Sequence, residues 1–340
     1  LATRIADLDL MDDTQLDFTE MRERAVACEE AALAVNGVTK SSGSSFGQTL
    51  GGTVLATSHG FVGSYGASRF SLSTSAVAGE STAMERDYDF DSQRHLADLR
   101  AASEIGALAG KRAVARINPQ QVDTQSAIVV FEPRMARSLV SHFAGAVNAS
   151  SIVRKTSFLK DSLNEQVFAP GVHIVDEPQI PRATASRPFD AEGVSAETLS
   201  LIDEGILKHW LLDSSTARAL DLSTNGRANR AGSGTAPGST NLTLEAGQTA
   251  TKDLISSIQS GFYVTELIGQ GVNLISGDYS RGASGFWIEN GELTYAVSEV
   301  TIAGNLREMF SHLQPGDDLE KRHGTNAPTV TIEGMTIAGR

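Results

Sequence analysis

Any catalytic or metal site in this chain has to be built from seven histidines, one cysteine and a scatter of serines and acids. The histidines are His59, His95, His142, His173, His209, His312 and His323. No two stand at the i, i+4 spacing that puts a pair of imidazoles on one helix face as metal ligands. Cys28 lies among the helix formers around Arg24 and Glu29, where a thiol reads as buried and structural rather than reactive. A serine nucleophile wants G-x-S-x-G at a strand-to-helix turn, but Gly282 and Gly285 enclose only Ala283 and Ser284. The glycine-rich GSGTAPG at 232–238 lacks the Lys-Ser/Thr of a phosphate loop. Asp87, Asp89 and Asp91 alternate, yet a calcium loop counted from Asp87 would need Gly and Glu where Ser92 and Asp98 stand. That run reads as a solvated acidic turn. The stretch SRGASG at 280–285 carries Arg281, whose guanidinium can pair with a carboxylate or with backbone carbonyls. A loop touching peptide or partner and a purely structural turn both remain open for it. Thr240 and Asn241 follow the glycine-rich run, where the residues alone read as a mobile surface loop.

These residues need elements to hold them. Phe18, Met21, Ala25, Cys28 and Ala32 recur at helical steps and predict a helix over 17–34. Residues 41–79 are rich in Ser and Gly with alternating apolar positions, the pattern of antiparallel strands with one wet face. Helical spacing returns over 92–117 and stops at Asn118-Pro119, where a domain boundary is placed. A strand at 127–131 leads into a helix opened by Pro133 and running to about 149, with Leu139, Val140, Phe143 and Val147 on one stripe. Further strands are expected at 172–175 and 206–212. A long loop is expected at 223–241. Asn290-Gly291 joins two strands, the strongest short hairpin signal because both turn positions need positive φ. A last strand at 329–332 ends at Gly334. The fold class is therefore α+β. A mixed first domain, residues 1–119, precedes a β-rich, mainly antiparallel domain, residues 120–340.

Length and charge narrow the function. At 340 residues two domains are the default. A net charge of −13 with no dense basic cluster disfavours direct nucleic-acid binding. No apolar run approaches the roughly 18 residues that cross a bilayer. A single cysteine and the lack of an opening signal peptide point to a reducing cytoplasm. The chain opens on Leu1 and runs straight into acidic residues, which reads as a first domain lacking its beginning.

SGDYSRGASGFWIENGELTYAVSEVTIAGNLRE at 276–308 closely resembles the C-terminal signature of the TldD/PmbA family, also called modulators of DNA gyrase. SFLKDSL at 157–163 with QVF at 166–168, SRPFDAEG at 186–193, WLLDS at 210–214, YVTELIG at 263–269 and GTNAP at 324–328 follow the same family in order. MERDY at 84–88 and HLADL at 95–99 fit its middle segment. The likeness spans nearly the whole chain. It implies a further N-terminal segment of roughly a hundred residues in the family, by the size typical of one domain.

In the branch that bears zinc, the resemblance implies HExxxH on a helix plus a distant cysteine. Two imidazoles and a thiolate hold the ion and leave a fourth position for water, and the glutamate takes that water's proton. Here the helix reads HFAGAV. His142 remains, Phe143 stands at the base position, and Val147 stands at the second ligand position. No cysteine lies near 323–326, although His323 is a second nitrogen that the family's fold could bring toward His142. A hydrogen-bonded, structural His142 is expected, with no metal or other cofactor in this chain and zinc only in a paralogous partner. The implied role is a non-catalytic PmbA (TldE)-like subunit of a heteromeric peptidase acting on extended or unfolded peptides. Arg281, Ser284, Asp278, Thr240 and Asn241 are the candidate peptide- or partner-contacting residues. The competing reading is a metal-free homodimer that binds a peptide or protein without cleaving it.

Overall fold

The computed structural model describes every residue of the chain except Thr82. Helix α1 (Phe18–Leu33) starts with a capping box, in which the Asp17 side chain accepts from the Glu20 N–H and Glu20 returns the bond. Strands β1 (Val38–Ala56), β2 (Val62–Ala78) and β3 (Glu85–Gln93) form an antiparallel sheet in that order. On β2 the buried residues Ser68, Phe70, Leu72, Thr74 and Ala76 alternate as the sequence implied. Helix α2 (Ala102–Ala115) lies against α1 and the sheet.

The α1–α2 crossing brings backbones together. A methyl group added at Gly106 would sit 2.2 Å from the Cys28 carbonyl, and one at Gly110 would sit 2.9 Å from that of Ala32. The helix expected over 92–117 is shorter than its spacing suggested. Residues 92–93 finish β3, and Leu96–Asp98 form one 3₁₀ turn. The cause is Asp91, whose carboxylate accepts the backbone N–H groups of Ser92 and Arg100 at 2.9 Å each and pins the chain between strand and helix.

The rest of the chain runs β4 (Gln125–Phe131), α3 (Pro133–Ala146), α4 (Ala149–Val153), β5 (Ile174–Glu177), β6 (Leu199–Asp203), β7 (Ile206–Leu207), α5 (Ser214–Ala219), β8 (Ala228–Ala231), β9 (Gly234–Pro237), β10 (Asn241–Leu244), α6 (Thr251–Ser256), β11 (Ser260–Ile268), β12 (Asp278–Glu289), β13 (Glu292–Asn305), α7 (Leu306–Ser311), β14 (Leu313–Pro315), β15 (Thr325–Asn326) and β16 (Val330–Ala338). Strands β13, β12, β11, β4 and β16 pair in sequence, and β16 pairs back to β13 through Ile302 and Ile337, so the sheet closes on itself. Only β11 with β4 is parallel in this ring. A second sheet has the order β15-β10-β5-β6-β7. Helix α3 lies between the two. Its Leu139, Val140 and Phe143 share one core with Phe131 and Phe262 of the ring and with Ile174 and Leu242 of the second sheet.

The α+β class holds, with a β-rich C-terminal part. Asn290 and Gly291 take φ of 52° and 82°, the paired positive values a tight hairpin demands. Three expectations are corrected. The long loop at 223–241 contains the hairpin β8–β9. The strand at 206–212 shrinks to two residues. Gly334 does not end β16: at φ 75° it forms a bulge between Ile332 and Met335, and pairing resumes beyond it.

Gly106→Ala is expected to cost about 1–3 kcal/mol, because two helix backbones must separate to admit one methyl. Thermal unfolding followed by circular dichroism measures it; a melting curve matching the wild type would show that the crossing yields freely.

Candidate functional site

Helix α3 turns Phe143 and Val147 into the core and His142 to another side. Phe143 is fully buried, edge-on to Phe168 at 5.2 Å and to Phe310 at 6.2 Å. Val147 is also buried and closes the helix, its N–H donating to the Phe143 carbonyl at 2.9 Å. His142 is half-buried and faces Tyr279, with ring centres 6.2 Å apart. The expected hydrogen bond is absent: His142 Nε2, Tyr279 Oη and Arg281 Nε are all buried without a partner among the described residues. Burial, helped by the positive charge of Arg281, lowers the His142 pKa and keeps the imidazole neutral.

Zinc does not fit these residues. Among the described residues no three of His, Cys, Asp and Glu come together as ligands. Phe143 and Val147 offer no lone pair. Cys28 is buried in α1 beside Leu72 and Ile105, and burial pushes its thiol up to about 11. His323 packs on Phe90, with ring centres 5.4 Å apart.

The other candidate residues divide by exposure. Thr240 and Asn241 are 4% and 2% exposed, so their side chains present nothing to a ligand. Thr240 donates its N–H and hydroxyl to Asp176 at 2.6 and 2.9 Å. Asp176 in turn pairs with Arg227, and both are fully buried. The remaining Arg227 N–H groups reach the carbonyls of Asn225, Glu197 and Asp176. Asn241 donates to the Glu177 carbonyl and the Ser186 hydroxyl at 2.7 Å each. These residues fasten the segments flanking the β8–β9 hairpin to β5. Ser284 is buried inside β12. The stretch 280–285 is not a loop, since β11 and β13 pair with it on either side. Arg281 is half-buried there, and its Nη2 donates to the Leu267 carbonyl at 3.3 Å. Asp278 is exposed and accepts from the Ser276 hydroxyl at 2.6 Å.

The other end of α3 builds a cleft that the sequence reading missed. Asp87, Asp89 and Asp91 are not a solvated turn. They lie in β3, where a period of two puts all three on one face, and all three are buried. Asp87 pairs with Arg134 of α3 at 3.0 Å and with Arg116 at 3.5 Å. Asp89 pairs with Arg100 at 2.7 Å and Arg112 at 3.0 Å. Asp91 pairs with Arg322 at 2.6 Å. Burial alone would raise Asp91, but the bonds from Arg322, the Arg100 N–H and Gln93 carry its pKa below the usual carboxylate value.

Between β3, α2, α3 and the segment before β15 opens a space of about 690 Å³. Phe90 lies on its wall with Tyr88 stacked beside it at 6.3 Å; Arg134 lies 5.1 Å over Tyr88 and Arg137 5.9 Å over Phe90. His323 completes that wall. Burial, reinforced by Arg137, pushes its pKa down to about 4, so it is neutral at pH 7. The signal available in the sequence was the alternation of the three aspartates, legible only once they are known to sit on a strand facing two helices.

Residues 12–117 match the PmbA/TldA metallopeptidase central domain, and residues 124–339 match the PmbA/TldA metallopeptidase C-terminal domain. The chain belongs to the PmbA/TldD family. It is 39% identical to the metalloprotease PmbA of Escherichia coli O157:H7 over all of its own length and 74% of that protein. A crystal structure from Thermotoga maritima, of a protein described as a modulator of a DNA gyrase, superposes with a TM-score of 0.91 at 26% identity, over 99% of this chain and 78% of that one. TldE from Thermococcus kodakarensis shares the fold, with a TM-score of 0.84 at 21% identity over 96% of this chain and 75% of that one. No helix of the described residues is long and apolar enough to cross a membrane.

Asp176→Ala strands Arg227 as an unpaired buried charge in this PmbA/TldD-family chain, and a loss of about 3–5 kcal/mol is expected on denaturant unfolding. A loss below about 1 kcal/mol, the range of a surface pair, would mean that Arg227 finds other solvation. For His323 the unfolded chain takes up a proton near 6.5 and the folded chain only near 4. Stability is therefore lost as pH falls through 6.5 toward 4. His323→Gln should lose less stability than the wild type between pH 7 and pH 5; equal losses would show that the buried imidazole contributes nothing to the acid side.

Proposed function

We propose that the chain is a non-catalytic, metal-free subunit of a cytoplasmic TldD/PmbA-type peptidase. It works beside a zinc-bearing paralogue and helps to hold extended or unfolded peptides. The observation that carries this reading is the fate of the motif positions on α3. Phe143 fills an aromatic core and Val147 seals the helix end, so the places where the resemblance calls for a general base and a metal ligand are spent on packing. The peptide is assigned to the cleft between β3 and α3. That space is concave and has the aromatic wall and charged groups of a binding site rather than of a packed interior. The net charge of −13 keeps nucleic acid out of this reading.

The test is hydrolysis of an unfolded, casein-like substrate by the intact protein alone, by the zinc-bearing paralogue alone, and by the two mixed, each with and without a chelator. Cleavage that needs the mixture and stops with chelator is expected. Cleavage by this protein alone would overturn the assignment. Peptide binding without any cleavage in the mixture would favour a metal-free homodimer that only binds.

A further inference from the structure

The arginines of the cleft are not equivalent. Arg100, Arg112, Arg134 and Arg322 each have a carboxylate within 2.6–3.0 Å. Arg137, one turn along α3 from Arg134, makes neither an ion pair nor a side-chain hydrogen bond among the described residues. Its only partner is the face of Phe90, a contact that uses none of its N–H groups. Its N–H groups are open to the cleft, and its planar fork matches a carboxylate with two parallel bonds. Burial lowers its pKa, in keeping with the loss of water around it. The acids of the cleft make no ion pair with it among the described residues. Asp89, Asp91 and Glu132 are committed to other arginines, and Asp318 accepts from Thr329. Glu104 and Glu320 are exposed on the rim and make no ion pair among the described residues.

We propose that Arg137 anchors the terminal carboxylate of a peptide lying in this cleft, with the last side chain against Phe90. This deepens the peptide-binding reading above and rests on it. A chain end fits better than an acidic side chain because Arg137 and Phe90 are in contact, and a terminal residue carries its carboxylate and its side chain on one Cα. Glu104 and Glu320 repel further negative charge at the mouth, so a single terminal carboxylate reaches Arg137 most easily on a peptide that is otherwise neutral or basic.

Fluorescence anisotropy on the intact protein separates the outcomes. The probes are one unstructured, labelled peptide with a free C-terminus, its C-terminal amide, and the amide carrying one internal Glu. The free acid is expected to bind about ten-fold or more tightly than the amide, the range for a charge-assisted bond. Arg137→Gln should remove that preference, and Arg137→Lys should restore part of it. Equal binding of free acid and amide to the wild-type protein overturns the anchor while leaving peptide binding intact, a result that does not depend on any variant folding. An internal Glu that replaces the terminus at full strength overturns the choice of the chain end. Binding of none of the three overturns the peptide-binding reading itself.

Discussion

Three buried aspartates on one face of β3 join the two halves of the molecule, and much else depends on them. Buried carboxylates are tolerated only when paired. Asp87, Asp89 and Asp91 find their partners on both sides of the junction: Arg100, Arg112 and Arg116 come from α2 and its flanks, Arg134 from α3 and Arg322 from the stretch before β15. Such pairs add little net stability compared with apolar packing, but they punish every other arrangement of the two parts, since a shift would leave a buried charge unmatched. The register of β3 against α3 follows from this, and so does the shape of the cleft between them.

The same junction accounts for the groups left over. Arg134 and Arg137 lie on the face of α3 that looks toward β3, and Tyr88 and Phe90 lie beneath them. Each of the three aspartates is shared by two arginines, and Arg137 is a cleft arginine that pairs with no acid among the described residues. Burial of His323 beside it produces a neutral imidazole rather than a second cation. The cleft thus offers one uncommitted positive group beside an aromatic ring.

Helix α3 faces two ways along its length, and this constrains its chemistry. Its last turns are held by Phe143, set edge-on to the stacked pair Phe168 and Phe310, and by Val147 at the cap. A carboxylate at 143 would have to be buried in that aromatic cluster, where the rings offer it no hydrogen bond. Phe143 and Val147 instead contribute core packing between the closed ring of strands and the second sheet.

The sequence by itself determined the local structure wherever local chemistry decides it: the capped start of α1, the alternation along β2, Pro133 opening α3, and the Asn290-Gly291 turn with both φ values positive. It also carried the family, because the motifs at 157–168, 186–193 and 276–308 are ordered strings that need no folding to be read. Only the tertiary structure decided the rest. Thr240 and Asn241 looked available in a polar loop, but Thr240 is held inside by Asp176 and Asn241 by Glu177 and Ser186. Gly334 looked like a strand end, but pairing with β4 continues past it. Asp87, Asp89 and Asp91 looked like solvated charge, because the arginines that bury them are spread from 100 to 322. Pairing between charges so far apart in the chain leaves no local pattern, and neither does the failure of one arginine to find an acid.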